Sequence, residues 1–202
     1  MTSIKICGLK RLEDVEYVNE VLPEYAGFVF WDKSKRNVDF DFALELRRAM
    51  DRRIASVGVF VDRPVEDILE LAERKIISLV QLHGHEDSAI IKQLRDKLPG
   101  EVRIIKAFEI NSEEDIKKAN ESIADMVLID SGKGSGKVFD WELLKLINRP
   151  YFLAGGLSAE NVRQAIDQYR PYAVDVSSKV ETDGCKDKQK IISFVNAVRA
   201  DK

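Results

Sequence analysis

The chain has 202 residues, enough for one sizeable core and too few for two full domains of ordinary size. Its 32 Lys and Arg against 35 Asp and Glu leave a formal net charge of −3, so no global field draws it to nucleic acid or an anionic membrane, and an anionic ligand needs a local positive site. Two cysteines, Cys7 and Cys185, no window near about 18 apolar residues and an N-terminus that is no signal peptide argue against a disulfide-stapled secreted domain or a membrane protein; the expectation is a cytoplasmic chain with two reduced thiols.

In chain order, a short apolar run at 4–7 precedes an amphipathic stretch at 13–21. Runs at 25–31 and 56–61 bracket a second such stretch at 42–50. The next helical pattern, 64–75, puts Pro64 at a first helical position with Val65, Ile68, Leu69 and Ala72 on one face. A run at 79–83 leads to the pattern at 86–98, and one at 103–108 to a mostly charged stretch at 112–123 that reads weakly as a helix. Runs at 126–130, 151–154 and 173–177 follow, and an amphipathic segment at 187–200 closes the chain. Several runs, VGVFV and MVLID among them, are apolar nearly throughout, as strands covered on both faces require. Eight runs starting about 21 to 31 residues apart favour an α/β fold in which eight parallel strands close into one (βα)8 TIM barrel over residues 1–202, rather than an open sheet. Phe28, Phe30 and Phe60 are expected in the core.

In such a barrel the chemistry sits at the C-terminal ends of the strands. Those ends carry Cys7-Gly8, Ser34-Lys35-Arg36, Asp62-Arg63, Gln81-Leu82-His83-Gly84, Lys106-Ala107-Phe108, Asp130-Ser131, Ala154-Gly155-Gly156 and Asp175-Val176-Ser177-Ser178. The loops after strands seven and eight are the usual phosphate cradle, so Gly155, Gly156, Ser177 and Ser178 are the expected phosphate-binding residues, glycine for close backbone approach and serine for hydroxyl donors. The segment 132–137, GKGSGK, fails the P-loop pattern, because no glycine stands five residues before Gly136 and Val138 follows the lysine; it reads as a loop over the site. Cys185 has no partner at metal spacing, and the HGH of His83 and His85 lacks a third ligand.

KICG at 5–8, GFVF with SKR at 27–36, QLHG at 81–84, LIDS at 128–131, GKGSGKVFDW at 132–141, LAGGLSAENV at 153–162 and DVSSKVET with Gly184 and KD at 175–187 together resemble phosphoribosylanthranilate isomerase of tryptophan biosynthesis. The family usually has SPR at 34–36, glycine at 179 where this chain has Lys179, and GGTG where this chain has GSG. The resemblance implies an Amadori rearrangement of N-(5-phosphoribosyl)anthranilate to 1-(2-carboxyphenylamino)-1-deoxyribulose 5-phosphate, without cofactor or metal. It makes Cys7 the base that takes the C2 proton and Asp130 the acid that protonates the ribose ring oxygen. Cys7 then has to work as a thiolate, so either neighbours lower its pKa from about 8.5 or the enzyme works partly protonated, and Asp130 has to hold a proton, which asks for a rise from about 3.9. Without the resemblance, Cys7 reads as a small core residue and Asp130 as a helix cap.

The same resemblance gives Arg36 the anthranilate carboxylate, which a planar guanidinium suits, and makes His83 and Asp175 substrate-binding residues. His83 could equally support its loop, and Asp175 could be a buried partner of Lys5 or Arg36. Lys5 and Lys106, basic groups on strands, are candidates to hold Cys7 or the phosphate. The expected partner is a small phosphosugar–anthranilate substrate, with no nucleic acid and no membrane. A monomer is favoured over a dimer for want of an apolar patch, and nothing suggests fusion to a second enzyme. The competing readings are another phosphosugar barrel enzyme, an isomerase that also takes the histidine-pathway aminoaldose, or a non-catalytic sugar-phosphate-binding barrel.

Overall fold

The computed structural model of the chain describes residues 2–130 and 141–200. Eight strands, β1 (Ser3–Cys7), β2 (Tyr25–Phe30), β3 (Ala55–Phe60), β4 (Leu79–Leu82), β5 (Arg103–Glu109), β6 (Met126–Asp130), β7 (Tyr151–Ala154) and β8 (Ala173–Val176), form a closed barrel in sequence order. Each pairs parallel with the next, and β8 closes on β1 with Lys5 opposite Asp175. The strands stop at Phe30, Phe60, Leu82 and Val176, each one residue short of its expected end, because the chain turns out of the sheet at the barrel rim. Asp62, just beyond β3, turns with φ +49°.

Side chains alternate along each strand, so the wall divides into two sets. Ile4, Ile6, Phe28, Val80, Val127, Leu153 and Val174 pack outward beneath the helices. Cys7, Val57, Leu79, Ile105, Leu128, Phe152 and Ala173 form a separate core inside the barrel. Phe28, Phe30 and Phe60 are fully or almost fully buried in the outer core, as expected.

The helices are α1 (Leu12–Val21), α2 (Phe40–Ala49), α3 (Val65–Glu73), α4 (Ser88–Lys97), α5 (Glu113–Glu121), α6 (Val162–Tyr169) and α7 (Lys188–Arg199). Asp39, Asp87, Ser112 and Asp187 cap four of them by accepting from first-turn N–H groups. Pro64 stands one place before its expected position, at the N-cap of α3. The charged stretch at 112–123 is helical because Ile116 and Ala119 give it a buried stripe and Ser112 a cap. Between β6 and β7 the described chain has only a 3-10 turn, Trp141–Leu146. Beyond β8, two-residue strands β9 (Glu181–Thr182) and β10 (Cys185–Lys186) form a small antiparallel ribbon.

Candidate active site

The inward-facing set opens at the C-terminal rim into a cavity of about 350 Å3. Cys7, Arg36, His83, Asp130, Asp175, Gly155, Gly156, Ser177 and Ser178 all line it. The segment 132–137 lies outside the described residues.

Cys7 ends β1 and is 8% exposed. Burial is the largest influence on its thiol and pushes the pKa up; Lys5 and Lys186 oppose it, and Asp175 adds to it. The sequence left two routes, neighbours that lower the thiol pKa or an enzyme that works partly protonated. The cations are present, but burial outweighs them and holds the thiol above its ordinary pKa.

Lys5 is completely buried, with Nζ 3.0 and 3.1 Å from the two Asp175 carboxylate oxygens. Its burial works to discharge the ammonium. The charges of Asp175 and of a Cys7 thiolate outweigh burial and raise its pKa above the ordinary lysine value. Asp175 is thus both a cavity wall and the partner of Lys5.

Arg36 is held by a residue the sequence reading passed over. Its Nε and Nη2 donate to the two carboxylate oxygens of Glu181, each at 2.7 Å. Glu181 also accepts from Lys186 Nζ at 2.6 Å, and that ammonium donates to the Ser177 carbonyl at 3.1 Å. Burial would raise the Glu181 pKa, but the bonds from Arg36 and Lys186 dominate and bring it down to about 2. Glu181 and Lys186 face each other across the β9–β10 ribbon. Both lay within the DVSSKVET…KD motif, and what was missing was knowledge that the ribbon folds back over Arg36. Gly8 makes room for that side chain: it has φ +84°, and a Cβ there would collide with Arg36 Cδ.

His83 stands between two polar groups. Gln81 Nε2 is 2.9 Å from its Nδ1, and its Nε2 is 3.6 Å from Asp130 Oδ2. Beyond β7, Gly155 and Gly156 have φ +93° and +69°, a backbone turn open to glycine. The Ser177 hydroxyl donates to the Cys7 carbonyl at 3.0 Å, so this serine fastens the end of β8 to β1. Lys179, in the short 3-10 turn Ser178–Val180, also lines the cavity and adds positive charge.

Lys106 does not reach the site. It is buried on the outward set of β5, where Nζ donates to Glu86 at 2.9 Å and to the Gly84 carbonyl at 2.7 Å. Strand parity excludes it from the barrel interior. His85 is exposed and its Nδ1 lies 2.9 Å from Asp62, while Cys185 is a half-buried free thiol. No group of three or more potential metal ligands occurs among the described residues.

Residues 4–197 match the family model of N-(5'-phosphoribosyl)anthranilate isomerase. The chain belongs to that family. It is therefore an enzyme of tryptophan biosynthesis, an aldose–ketose isomerase on a TIM barrel. A curated family member from Endomicrobium trichonymphae is 46% identical over 205 residues, covering 99% of this chain and all of the relative. The crystal structure of the phosphoribosyl anthranilate isomerase of Thermotoga maritima superposes with a TM-score of 0.87 at 36% identity, covering 98% of this chain and 99% of that one. A family structure in complex with reduced 1-(o-carboxyphenylamino)-1-deoxyribulose 5-phosphate superposes at 0.85 and 35% identity, with 98% and 99% coverage.

Proposed function

We propose that Cys7 and Asp130 carry the family's isomerisation in this chain, as base and acid. The observation that supports this is their convergence: β1 and β6 are not neighbours in the barrel, yet their last residues line one cavity, between the Arg36 clamp and the β7–β8 glycine and serine loops. The phosphate of N-(5'-phosphoribosyl)anthranilate lies against Gly155, Gly156, Ser178 and the Ser177 N–H, with Lys179 supplying charge. The anthranilate carboxylate meets the edge of the Arg36 guanidinium that Glu181 leaves uncovered. Asp130 gives a proton to the ribose ring oxygen as the C1–O bond breaks, forming a Schiff base. Cys7 thiolate takes the C2 proton, the C=N electrons return to nitrogen, and the enolamine tautomerises to the ketone. The ring C1–O bond breaks with a proton from Asp130, and C2 is oxidised as C1 is reduced within the same molecule, so the rearrangement calls for no external oxidant or reductant. Asp175 and His83 orient the sugar hydroxyls.

The partner is the small phosphosugar–anthranilate substrate and neither nucleic acid nor membrane; no helix among the described residues is long and apolar enough to cross a bilayer. A cytoplasmic location fits this chemistry and the free thiols. We expect a monomer; a Thermotoga maritima family structure is described as monomers generated from a dimeric enzyme, so sedimentation that gives a dimer would correct this. The decisive assay follows the loss of phosphoribosylanthranilate fluorescence with wild type, Cys7→Ser and Asp130→Asn. Turnover abolished in both variants supports both roles, and turnover kept in either removes that residue from its role.

A further inference from the structure

Among the described residues, one buried side-chain oxygen or nitrogen has no hydrogen-bond partner, Gln81 Oε1. Gln81 is 1% exposed, and its side chain lines the active-site cavity from β4. Buried polar atoms without partners are rare because they cost stability, and a site is where such a cost is retained. The other end of the same amide is engaged: Nε2 lies 2.9 Å from His83 Nδ1. An amide nitrogen only donates, so Nδ1 accepts, and in the neutral imidazole the proton sits on Nε2, the atom 3.6 Å from Asp130 Oδ2.

We infer that Gln81 is a substrate-positioning residue: its Oε1 accepts a hydrogen bond from a neutral donor next to the reacting carbons, a sugar hydroxyl or the anilino N–H, while its Nε2 fixes the His83 tautomer that faces Asp130. The inference rests on the isomerase reading of this cavity. A purely structural glutamine would spend both ends of its amide on the protein. Here one end is spent on His83 and the other has no partner, in a side chain that lines the cavity.

The test compares wild type, Gln81→Leu and Gln81→Glu by calorimetric affinity for the reduced product analogue, by kcat/KM, by melting temperature without ligand and by 15N NMR of His83. Gln81→Leu removes the orphan oxygen, so its melting temperature falls little or rises, while affinity for the analogue and kcat/KM each drop about tenfold, the effect of one lost hydrogen bond. Gln81→Glu keeps an acceptor but accepts from Nδ1, so its His83 carries the proton on Nδ1 where wild type carries it on Nε2. An affinity loss smaller than threefold in folded Gln81→Leu overturns the inference, as does an Nδ1–H tautomer in wild type. Should Gln81→Leu fail to fold, Gln81→Met stands in under the same threshold. If wild type neither binds the analogue nor turns over substrate, the isomerase reading fails and this inference with it; normal wild-type behaviour beside an unaffected variant sinks the Gln81 inference alone.

Discussion

The barrel wall has two faces, and each carries a buried lysine. Lys5, on β1, points inward and meets Asp175 and Cys7; Lys106, on β5, points outward and ties Glu86 to the turn after β4. Glu86 in turn accepts from the backbone N–H groups of Asp62 and Gly84, so this outer pair holds together the loops that follow β3 and β4. The two sites have nearly the same ingredients, a carboxylate and an ammonium with little or no exposure. What differs is the third partner. Lys5 has a thiol beside it whose charge it stabilises, whereas Lys106 has only carbonyls. A buried ion pair is poor evidence of function by itself. Its meaning here comes from the face of the strand on which it lies.

The comparison breaks or sharpens in a definite order. The largest effects belong to the proposed acid and base: Cys7→Ser and Asp130→Asn should each lower kcat by about 10^2 to 10^4, with melting temperatures close to wild type. At the rim, Arg36→Met should raise KM about 10- to 100-fold, and Glu181→Gln should do the same to a smaller degree by loosening the guanidinium. Both effects should vanish with phosphoribosylaniline, which has no carboxylate for Arg36 to hold; persistence with that substrate would dissociate Arg36 from the anthranilate ring.

Third comes the exchange of the two lysines. Lys5→Met removes the cation that opposes burial at Cys7, so the thiol titrates still higher and kcat/KM at neutral pH falls about tenfold, with the rising alkaline limb of the rate profile moved to higher pH. Lys106→Met should leave kcat and KM near wild type and cost about 3 to 5 kcal/mol of stability, since it strands the Glu86 carboxylate. If Lys106→Met were the one to change the pH–rate profile, the division between faces would not hold. The smallest effect is a pH dependence of stability. Glu181 is held at about 2 against an ordinary 4.5, so its ion pairs contribute fully above 4.5 and are lost as pH falls through about 2. Wild type should therefore lose melting temperature between those values more steeply than Glu181→Gln.

A good deal of this was legible in the chain alone. Apolar runs repeated at barrel spacing, with glycines and polar residues gathered at their ends, placed Cys7, Arg36, His83, Asp130 and Asp175 at one mouth, because strand periodicity and loop chemistry are local properties of the sequence. The helix starts at Asp87, Ser112 and Asp187 were close to their expected places for the same reason. The closed barrel supplied what local pattern does not contain. Lys5 and Asp175 are 170 residues apart, and Arg36 and Glu181 are 145 apart. Such pairs exist only because β8 returns to β1 and the β9–β10 ribbon folds over the mouth. The raised thiol of Cys7, the absence of Lys106 from the site and the unpartnered oxygen of Gln81 all depend on burial and on strand parity. Composition sets which groups can ionise or donate; only the packed interior decides which of them share a face and how much water they keep.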